Sequence, residues 1–325
     1  MMRQVVAGCD IGGTKCAVVM GSVTGEEVVR IDRRQFPTPA GFASTLEQLN
    51  QALQDLVDAH GLTPAAIGVA CGGPLDTRTG RVLSPPNLPG FDDVDIVTPL
   101  RERWGVPVGL ENDANAGALA EWRWGGGRGL EHMVFLTFGT GMGAGLILNG
   151  RLYRGARDLA GEIGHLRLAE SGPVGFGKAG SFEGFCSGGG IARLAALRLK
   201  AWEQAGKTSL LADGPDLRAD RVGWAAGEGD ALARALWQEV GERLGQGLAV
   251  LIDLLNPELI ALGGIYRRQQ GWIEPAMRRV LAAEAIGAAN GACRIEPAGL
   301  GEAIGDWASL AVAQSLAQPR LSSHA

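Results

Sequence analysis

The stretch that most constrains this chain is Gly-Cys-Asp-Ile-Gly-Gly-Thr-Lys at residues 8–15, which lies between two apolar runs. Residues 5–7 and 16–20 are both apolar and predict two short strands. A pair of glycines between two such strands predicts a tight hairpin. The chain therefore opens with an antiparallel strand pair whose turn carries polar groups.

The residue types in this turn are those that bind phosphate. Gly12 and Gly13 lack side chains, so their N–H groups can approach an anion closely. Thr14 adds a hydroxyl donor, Lys15 a positive charge, and Asp10 a carboxylate suited to holding Mg²⁺ through water. The turn predicts a cradle for nucleotide phosphates, although an ordinary hairpin with a solvated lysine fits the same residues equally well.

Length and charge set the class of protein. A chain of 325 residues is long enough for roughly two domains. The net charge of −5 gives no electrostatic reason to expect nucleic acid or an anionic membrane as a partner. The N-terminus lacks a signal-peptide core, and no apolar run approaches membrane-spanning length.

The cysteines indicate a reducing compartment. All five are scattered without CxxC spacing, and several fall in apolar strands. We therefore interpret them as buried thiols of a reducing cytoplasm.

Periodicity predicts a mixed α/β chain. In the first half we expect strands over 5–7, 16–20, 27–36, 67–70 and 106–110, and helices over 43–60, 94–104 and up to 124. In the second half we expect strands over 132–138, 146–148, 259–262 and 293–295, helices over 190–203, 230–255, 273–285 and 302–316, a loop over 210–229, and a disordered tail over 319–325. The order β-β-β-α-β indicates a mixed sheet with helical cover.

A second glycine-rich turn repeats the opening theme. Gly139-Thr-Gly-Met-Gly-Ala-Gly145 lies between two predicted strands and also carries a threonine, Thr140. The two halves of the chain are therefore candidates for related repeats that place two phosphate loops face to face. Gly139, Gly141 and Ala144 match the dinucleotide fingerprint formally, but that fingerprint must open a helix, and a strand follows here.

Two other positions need an interpretation. Gly206-Lys-Thr208 resembles the end of a P-loop, yet it lacks the first glycine and follows a helix, so we reject it. Asn112 and Asp113 follow a predicted strand, where ligand groups gather in α/β sheets. Either residue also fits a simple helix N-cap.

Six stretches together resemble the ROK family of sugar kinases and repressors. They are DIGGTK at 10–15, ENDAN at 111–115, GTGMG at 139–143, GEIGH at 161–165, Glu183 followed by Ser-Gly at 187–188, and NPELIALGG at 256–264. The resemblance implies a two-domain, actin-like ATPase (ribonuclease H-like) fold with a cleft between the domains. It places a small α/β domain at 1–112, joined by the C-terminal helix at about 303–318, and a large α/β domain at 113–302.

The resemblance also implies a site and a reaction. The reaction is ATP-dependent phosphorylation of a glucose-like hexose or N-acetylhexosamine, with Asp113 as the catalytic base and Mg²⁺ carried with ATP. The sugar would be bound by Asn87, Asn112, Asp113, Glu162, His165 and Glu183, and the nucleotide by Asp10, Gly12, Gly13, Thr14, Lys15, Thr140, Gly141, Gly263 and Gly264. Carboxylates and amides are natural partners of sugar hydroxyls, whereas each residue singly also fits a structural role.

One departure from the family concerns a metal. Members usually carry three cysteines after the Gly-His pair, which form a structural zinc site with that histidine. Here Val174, Phe176 and Ser181 stand in their places, and only His165 is left. Because a tetrahedral zinc needs four N or S ligands, we expect no structural zinc.

Two other functions from the same family compete with the kinase. Its repressors carry a DNA-binding segment before the first glycine turn, whereas only nine residues precede Asp10 here, and the chain is acidic. A non-catalytic sugar sensor needs neither Asp113 nor the first loop. The identity of the sugar and the choice between ATP and polyphosphate stay open, and a homodimer is expected from the resemblance.

Overall fold

The protein, seen in a computed structural model, is described over residues 3–25, 27–214 and 216–317. The expected disordered tail at 319–325 lies outside the described residues, as does residue 318 at the end of the predicted last helix. Within those ranges, two five-stranded sheets and their covering helices make up most of the structure.

Strands and helices are interspersed along the chain. The strands are β1 (Gln4–Ile11), β2 (Lys15–Thr24), β3 (Glu27–Pro37), β4 (Ile67–Cys71), β5 (Leu75–Asp76), β6 (Arg81–Val82), β7 (Val94–Asp95), β8 (Val108–Asn112), β9 (Met133–Phe138), β10 (Met142–Leu148), β11 (Arg151–Tyr153), β12 (Val174–Gly175), β13 (Lys178–Ala179), β14 (Leu259–Leu262) and β15 (Arg294–Pro297). The helices are α1 (Phe42–His60), α2 (Val97–Trp104), α3 (Asp113–Trp124), α4 (Phe182–Cys186), α5 (Gly188–Gln204), α6 (Ala219–Gly227), α7 (Ala231–Leu255), α8 (Ile265–Glu284), α9 (Gly287–Ala292) and α10 (Ile304–Ala317). Short 3-10 turns cover Ile163–His165, Leu210–Asp213 and Gly301–Ala303.

The two large sheets have the same topology. The first has the order β3-β2-β1-β4-β8, and the second has the order β11-β10-β9-β14-β15. In each, three strands form an antiparallel meander, and two later strands add in parallel beside the first of them. The β-β-β-α-β order predicted for the first half is confirmed, and the second sheet repeats its strand order.

The helix that follows the last strand of each sheet packs on the other sheet. Helix α3 follows β8 but lies against β9 and β10, whereas α10 follows β15 and lies against β1 and β4. The two helices also contact each other. Because α10 touches a sheet on one side and α3 on another, its Ala, Leu and Val side chains are buried around most of its circumference.

Each sheet has its own apolar core. Val18, Leu53 and Leu100 belong to the core of the first sheet, and Leu136 and Trp237 to that of the second. The inner strands are apolar on both faces because helices cover both sides. All five cysteines are buried and free, as predicted.

The predicted helix over 94–104 is wrong at its start. Residues Val94 and Asp95 form β7, which pairs with β6, and the helix begins only at Val97. Pro99 fits there because a proline is tolerated in the first turn of a helix but not in its interior. The tertiary pairing with β6 decides the boundary.

Two predictions in the second half also need correction. The expected loop over 210–229 contains α6, whose buried Ala219, Val222, Ala225 and Ala226 have helical spacing that the surrounding glycines obscured. The helix expected at 273–285 begins at Ile265, and non-helical backbone at Gln269 marks a kink between its two parts. Short α4 was not predicted. Among the described residues, no helix is both long and apolar enough to cross a membrane.

Candidate active site

One cavity of about 800 Å³ brings together most of the predicted site residues. Its walls are the loops after β1, β4 and β9, the start of α3, and the segment around His165. The predicted residues that line it are Gly12, Gly13, Thr14, Asn87, Asn112, Asp113, Thr140, Gly141, Glu162, His165 and Glu183. Asp10, Lys15, Gly263 and Gly264 are not among its lining residues.

The sequence left open whether Asn112 or Asp113 is the helix N-cap or a ligand-binding residue, and the structure gives the cap to Asn112. Asn112 is the N-cap of α3, because its Oδ1 accepts hydrogen bonds from the N–H of Ala114 at 2.9 Å and of Asn115 at 3.3 Å. Asp113 is the first residue of the helix, and its Oδ1 accepts the N–H of Ala114. The Asp113 carboxylate is therefore not needed as the cap and faces the cavity.

Glu111 fixes the backbone beneath these two residues, a role that the sequence analysis did not assign. It is 2% exposed, and its Oε1 accepts hydrogen bonds from Asn112 N and Asn115 Nδ2. Its Oε2 accepts from the Arg154 guanidinium, at 2.6 Å from one terminal nitrogen. This charge-assisted pair ties the end of β8 to the segment after β11. Glu111 belongs to the ENDAN stretch, so the sequence motif included the residue without indicating its role.

Three carboxyl groups near the cavity have raised pKa values. Enclosure by the surrounding protein raises the pKa of Asp113 above its ordinary value. Burial, followed by the negative charges of Asp113 and Asp306, raises the pKa of Asp10 to about 6. Burial also raises the pKa of Glu162, with Asp113 and Glu183 adding to it. The cavity thus concentrates negative charge that a bound cation would relieve.

The first glycine loop packs against the Pro-rich loop. A Cβ on Gly13 would lie 2.7 Å from the carbonyl oxygen of Asn87, so only glycine allows these two backbones to approach so closely. Asn87 is thereby held at the mouth of the same cavity as the first loop. Lys15 is exposed and begins β2.

The second glycine loop lies beside Glu183. The Glu183 Oε2 accepts a hydrogen bond from Met142 N at 3.2 Å, and Ser181 caps α4 through Gly184 N. Gly264 lies behind this loop with φ 54°, and a Cβ at this position would clash with the Phe138 carbonyl. The structure therefore places Gly263 and Gly264 next to the base of the second loop rather than in the cavity wall.

The residues at the four positions where the family resemblance implies zinc ligands do not fit a tetrahedral metal. His165 is the one nitrogen or sulphur ligand among the four positions, and Ser181 is committed to capping α4. Across the described ranges, no group of three or more His, Cys, Asp or Glu side chains could hold a metal ion.

The cavity wall also contains residues that the sequence analysis did not assign to the site. Phe176 and Leu159 both line it and are both more than half exposed. The Asp158 carboxylate accepts hydrogen bonds from Thr77 N and Thr77 Oγ1, each at 2.9 Å, which links the turn after β5 to the segment after β11. Exposed apolar side chains and long-range loop contacts leave no periodic signal, so sequence reasoning could not have found them.

Comparisons with known proteins agree with this arrangement. A family model described as the ROK family matches residues 6–315. The chain is 33% identical to a glucokinase from Streptomyces coelicolor over 79% of this chain and 80% of that one. It is 28% identical to a xylose repressor from Caldicellulosiruptor bescii, over 79% of this chain and 65% of that one. A ROK glucokinase from Streptomyces griseus, solved with glucose and AMPPNP, superposes with a TM-score of 0.78 at 28% identity, covering 96% of this chain and 99% of that one.

The paired sheets, the crossed helices and the cavity between the glycine loops define the actin-like ATPase fold, which the sequence predicted. The dinucleotide fingerprint at 139–144 stays rejected, because residues 142–148 form a strand and not a helix. The P-loop-like stretch at 206–208 also stays rejected, because it follows a helix. The chain belongs to the ROK family.

Proposed function

We propose that this protein phosphorylates a hexose, glucose-like or N-acetylated, at the expense of ATP, with Asp113 as general base. The sugar-kinase class is supported by curated relatives named glucokinase at 30–34% identity over most of the chain. The general base, the individual sugar contacts and the nucleotide contacts are the parts that we add.

The observation that carries the proposal is the shared cavity. It combines the Asp113 carboxylate at a helix start with amide, imidazole and carboxylate groups and with two glycine loops. Sugar hydroxyls are both donors and acceptors, so Asn87, Asn112, Glu162, His165 and Glu183 suit them. Because the Asn112 Oδ1 already accepts the capping hydrogen bond of α3, its Nδ2 group is the part that donates to the sugar.

The transfer step needs a base and precise placement. A sugar hydroxyl oxygen bonds to the γ-phosphorus of ATP while the bond from that phosphorus to ADP breaks. The hydroxyl proton passes to the Asp113 carboxylate. The raised pKa of Asp113 brings this group closer to the working pH, which favours proton acceptance in the transition state.

The two loops are the proposed phosphate contacts. Gly12, Gly13, Thr14 and Lys15 lie on one side, and Thr140 and Gly141 on the other, while Gly263 and Gly264 let the adenosine approach the backbone. Asp10 would hold Mg²⁺ through water, and its excess of neighbouring negative charge fits a cation. The ion supplies neutralisation of the phosphate charge.

The remaining proposals concern organisation. The division into 1–112 with 303–318 and 113–302 is supported by α10, which packs on β1 and β4. A homodimer in the cytoplasm stays a prediction. The free, buried cysteines agree with a reducing compartment.

The test is a coupled ADP-release assay with Mg-ATP and about a dozen hexoses, including N-acetylhexosamines. We expect sugar-dependent ADP release with at least one of them. Calorimetry on the same sugars separates the alternatives, because a sugar-sensing regulator would bind sugar without releasing ADP. Binding without turnover across the whole set would contradict the kinase.

A further inference from the structure

The hairpin β12–β13 contains an unfavourable residue for its turn. Its two central residues, Phe176 and Gly177, have φ values of 43° and 74°. A two-residue hairpin with positive φ at both positions is the type I′ arrangement, for which Asn-Gly is the preferred sequence. A bulky aromatic residue is a real outlier in the left-handed region. Such local strain is typically retained where a side chain has another role.

The Phe176 side chain is placed at the cavity. It is 58% exposed, an unfavourable state for a large apolar ring, and it lines the same cavity as His165. The two ring centroids are 4.9 Å apart with planes at 70°, which is an edge-to-face contact. The strained turn therefore aims an aromatic ring at the predicted sugar-binding imidazole.

The same hairpin holds the His165 backbone. The Lys178 ammonium donates a hydrogen bond to the His165 carbonyl at 2.8 Å. At the base of the hairpin, Gly175 packs against the backbone of α4, the helix that carries Glu183. One ring contact and one charge-assisted hydrogen bond thus fix His165 from the side where a metal would otherwise be expected.

We infer that Phe176 is a positioning residue that orients the His165 ring, and that it forms an apolar wall of the sugar subsite in place of a metal-bound loop. Lys178 supports it by holding the His165 backbone. The inference rests on the proposed sugar kinase only in its kinetic consequence, whereas its structural part stands on the His165 contact itself.

The decisive variant is F176N, because asparagine suits the left-handed turn but has no ring. We expect the Tm of F176N to stay the same or rise, while the KM for sugar rises about three- to tenfold, the range typical of losing an aromatic pair. The KM for ATP should stay unchanged. F176Y keeps the ring and should behave as wild type, and V174T controls for the loss of an exposed apolar side chain on the same hairpin.

A second readout needs no turnover. The chain has 4 histidines, so the imidazole NMR signals can be assigned with an H165Q variant. We expect F176N to remove the ring-current shift from the His165 signals and to leave the other assigned signals in place. K178M, which keeps the side-chain stem, should broaden the same signals.

The outcomes are distinct. Unchanged His165 signals in F176N would overturn the inference even in a protein without kinase activity. An active wild type whose F176N variant keeps the sugar KM would also overturn it, as would a lowered Tm with both KM values raised, which is the result of general unfolding. Absence of sugar-dependent turnover in wild type, with the ring-current shift lost as expected, would instead overturn the proposed function alone.

Discussion

The two glycine-rich hairpins share a backbone plan but differ in charge. Each turn has three residues between its strands, 12–14 in the first sheet and 139–141 in the second. Asp10 and Thr137 occupy matching places, one residue before the end of β1 and β9. In the first hairpin this place holds a carboxyl group with a pKa of about 6, whereas the Thr137 hydroxyl accepts a neutral hydrogen bond from Gly143 N at 2.9 Å.

The difference shows that the fold repeats while the chemistry does not. Of the two hairpins, only the first carries both a carboxyl group, the half-buried Asp10, and a lysine, Lys15. Only the second half has the segment with Glu162, His165 and Glu183. Asp113 stands where the halves meet, because α3 follows the first sheet and packs on the second. In the proposed function, cation binding belongs to the first repeat, whereas the sugar contacts come from both halves of the chain.

The largest effect on activity is expected at Asp113, where the two halves of the chain meet. Asp113→Asn keeps the size of the side chain, and since Asn112 caps α3, the helix should stay intact. Loss of the general base should lower kcat by about 10²–10⁴, with sugar affinity changed much less. The measurement is steady-state kinetics beside wild type on the best sugar. Near-normal turnover in the variant would mean that the base lies elsewhere.

The next prediction concerns the pH dependence of stability, which should differ between Asp10 and Thr137. Because the folded-state pKa of Asp10 is raised from 3.8 to about 6, its contribution to stability is present below pH 4 and is lost as the pH rises through 6. Asp10→Asn should therefore raise the free energy of unfolding, without nucleotide, by about 1–3 kcal/mol at neutral pH and by little below pH 4.

The control for this prediction is Thr137→Ser, which keeps the hydroxyl group and should show no pH-dependent difference from wild type. Urea unfolding at a series of pH values measures both variants. A stability gain of Asp10→Asn that is the same at all pH values would contradict the assigned pKa.

A smaller effect tests the second loop. A Cβ on Gly139 would meet nothing within 4 Å, so Gly139→Ala should fold normally and place a methyl group where phosphate would approach. We expect ATP affinity to fall about tenfold, or 1.4 kcal/mol, with sugar affinity mostly intact. Calorimetry with a non-hydrolysable ATP analogue measures the change.

Gly13→Ala gives the contrast in the first loop. Its methyl group would collide with the Asn87 backbone, so stability and both affinities should fall together. Unchanged ATP affinity in both variants would refute the two-loop assignment.

The smallest effect concerns zinc. Because Val174, Phe176 and Ser181 cannot complete a site around His165, treatment with a chelator should leave Tm unchanged, and activity should return fully once Mg²⁺ is restored. Elemental analysis should find no stoichiometric zinc. One zinc atom per chain would contradict the prediction and the role given to the β12–β13 hairpin.

The sequence by itself determined the elements whose signals are local. Periodicity located α1 and β14, and the apolar, Ala- and Leu-rich run bounded by Asp230 and Pro257 located α7. The resemblance brought Asn112, Asp113, Glu162, His165 and Glu183 into one proposed site, and the structure places all five around one cavity. Short motifs are readable in this way because turn chemistry and apolar spacing act over a few residues.

Tertiary structure decided what depends on distant partners. The start of α2 is set by the pairing of β7 with β6. The exchange of α3 and α10 between the sheets has no local sequence pattern, and only the family resemblance implied it. The Glu111–Arg154 ion pair and the Phe176–His165 ring contact join residues 43 and 11 positions apart, respectively. Burial and Coulomb interaction depend on distance in space, so the raised pKa of Asp10 could not be predicted from its neighbours in the chain.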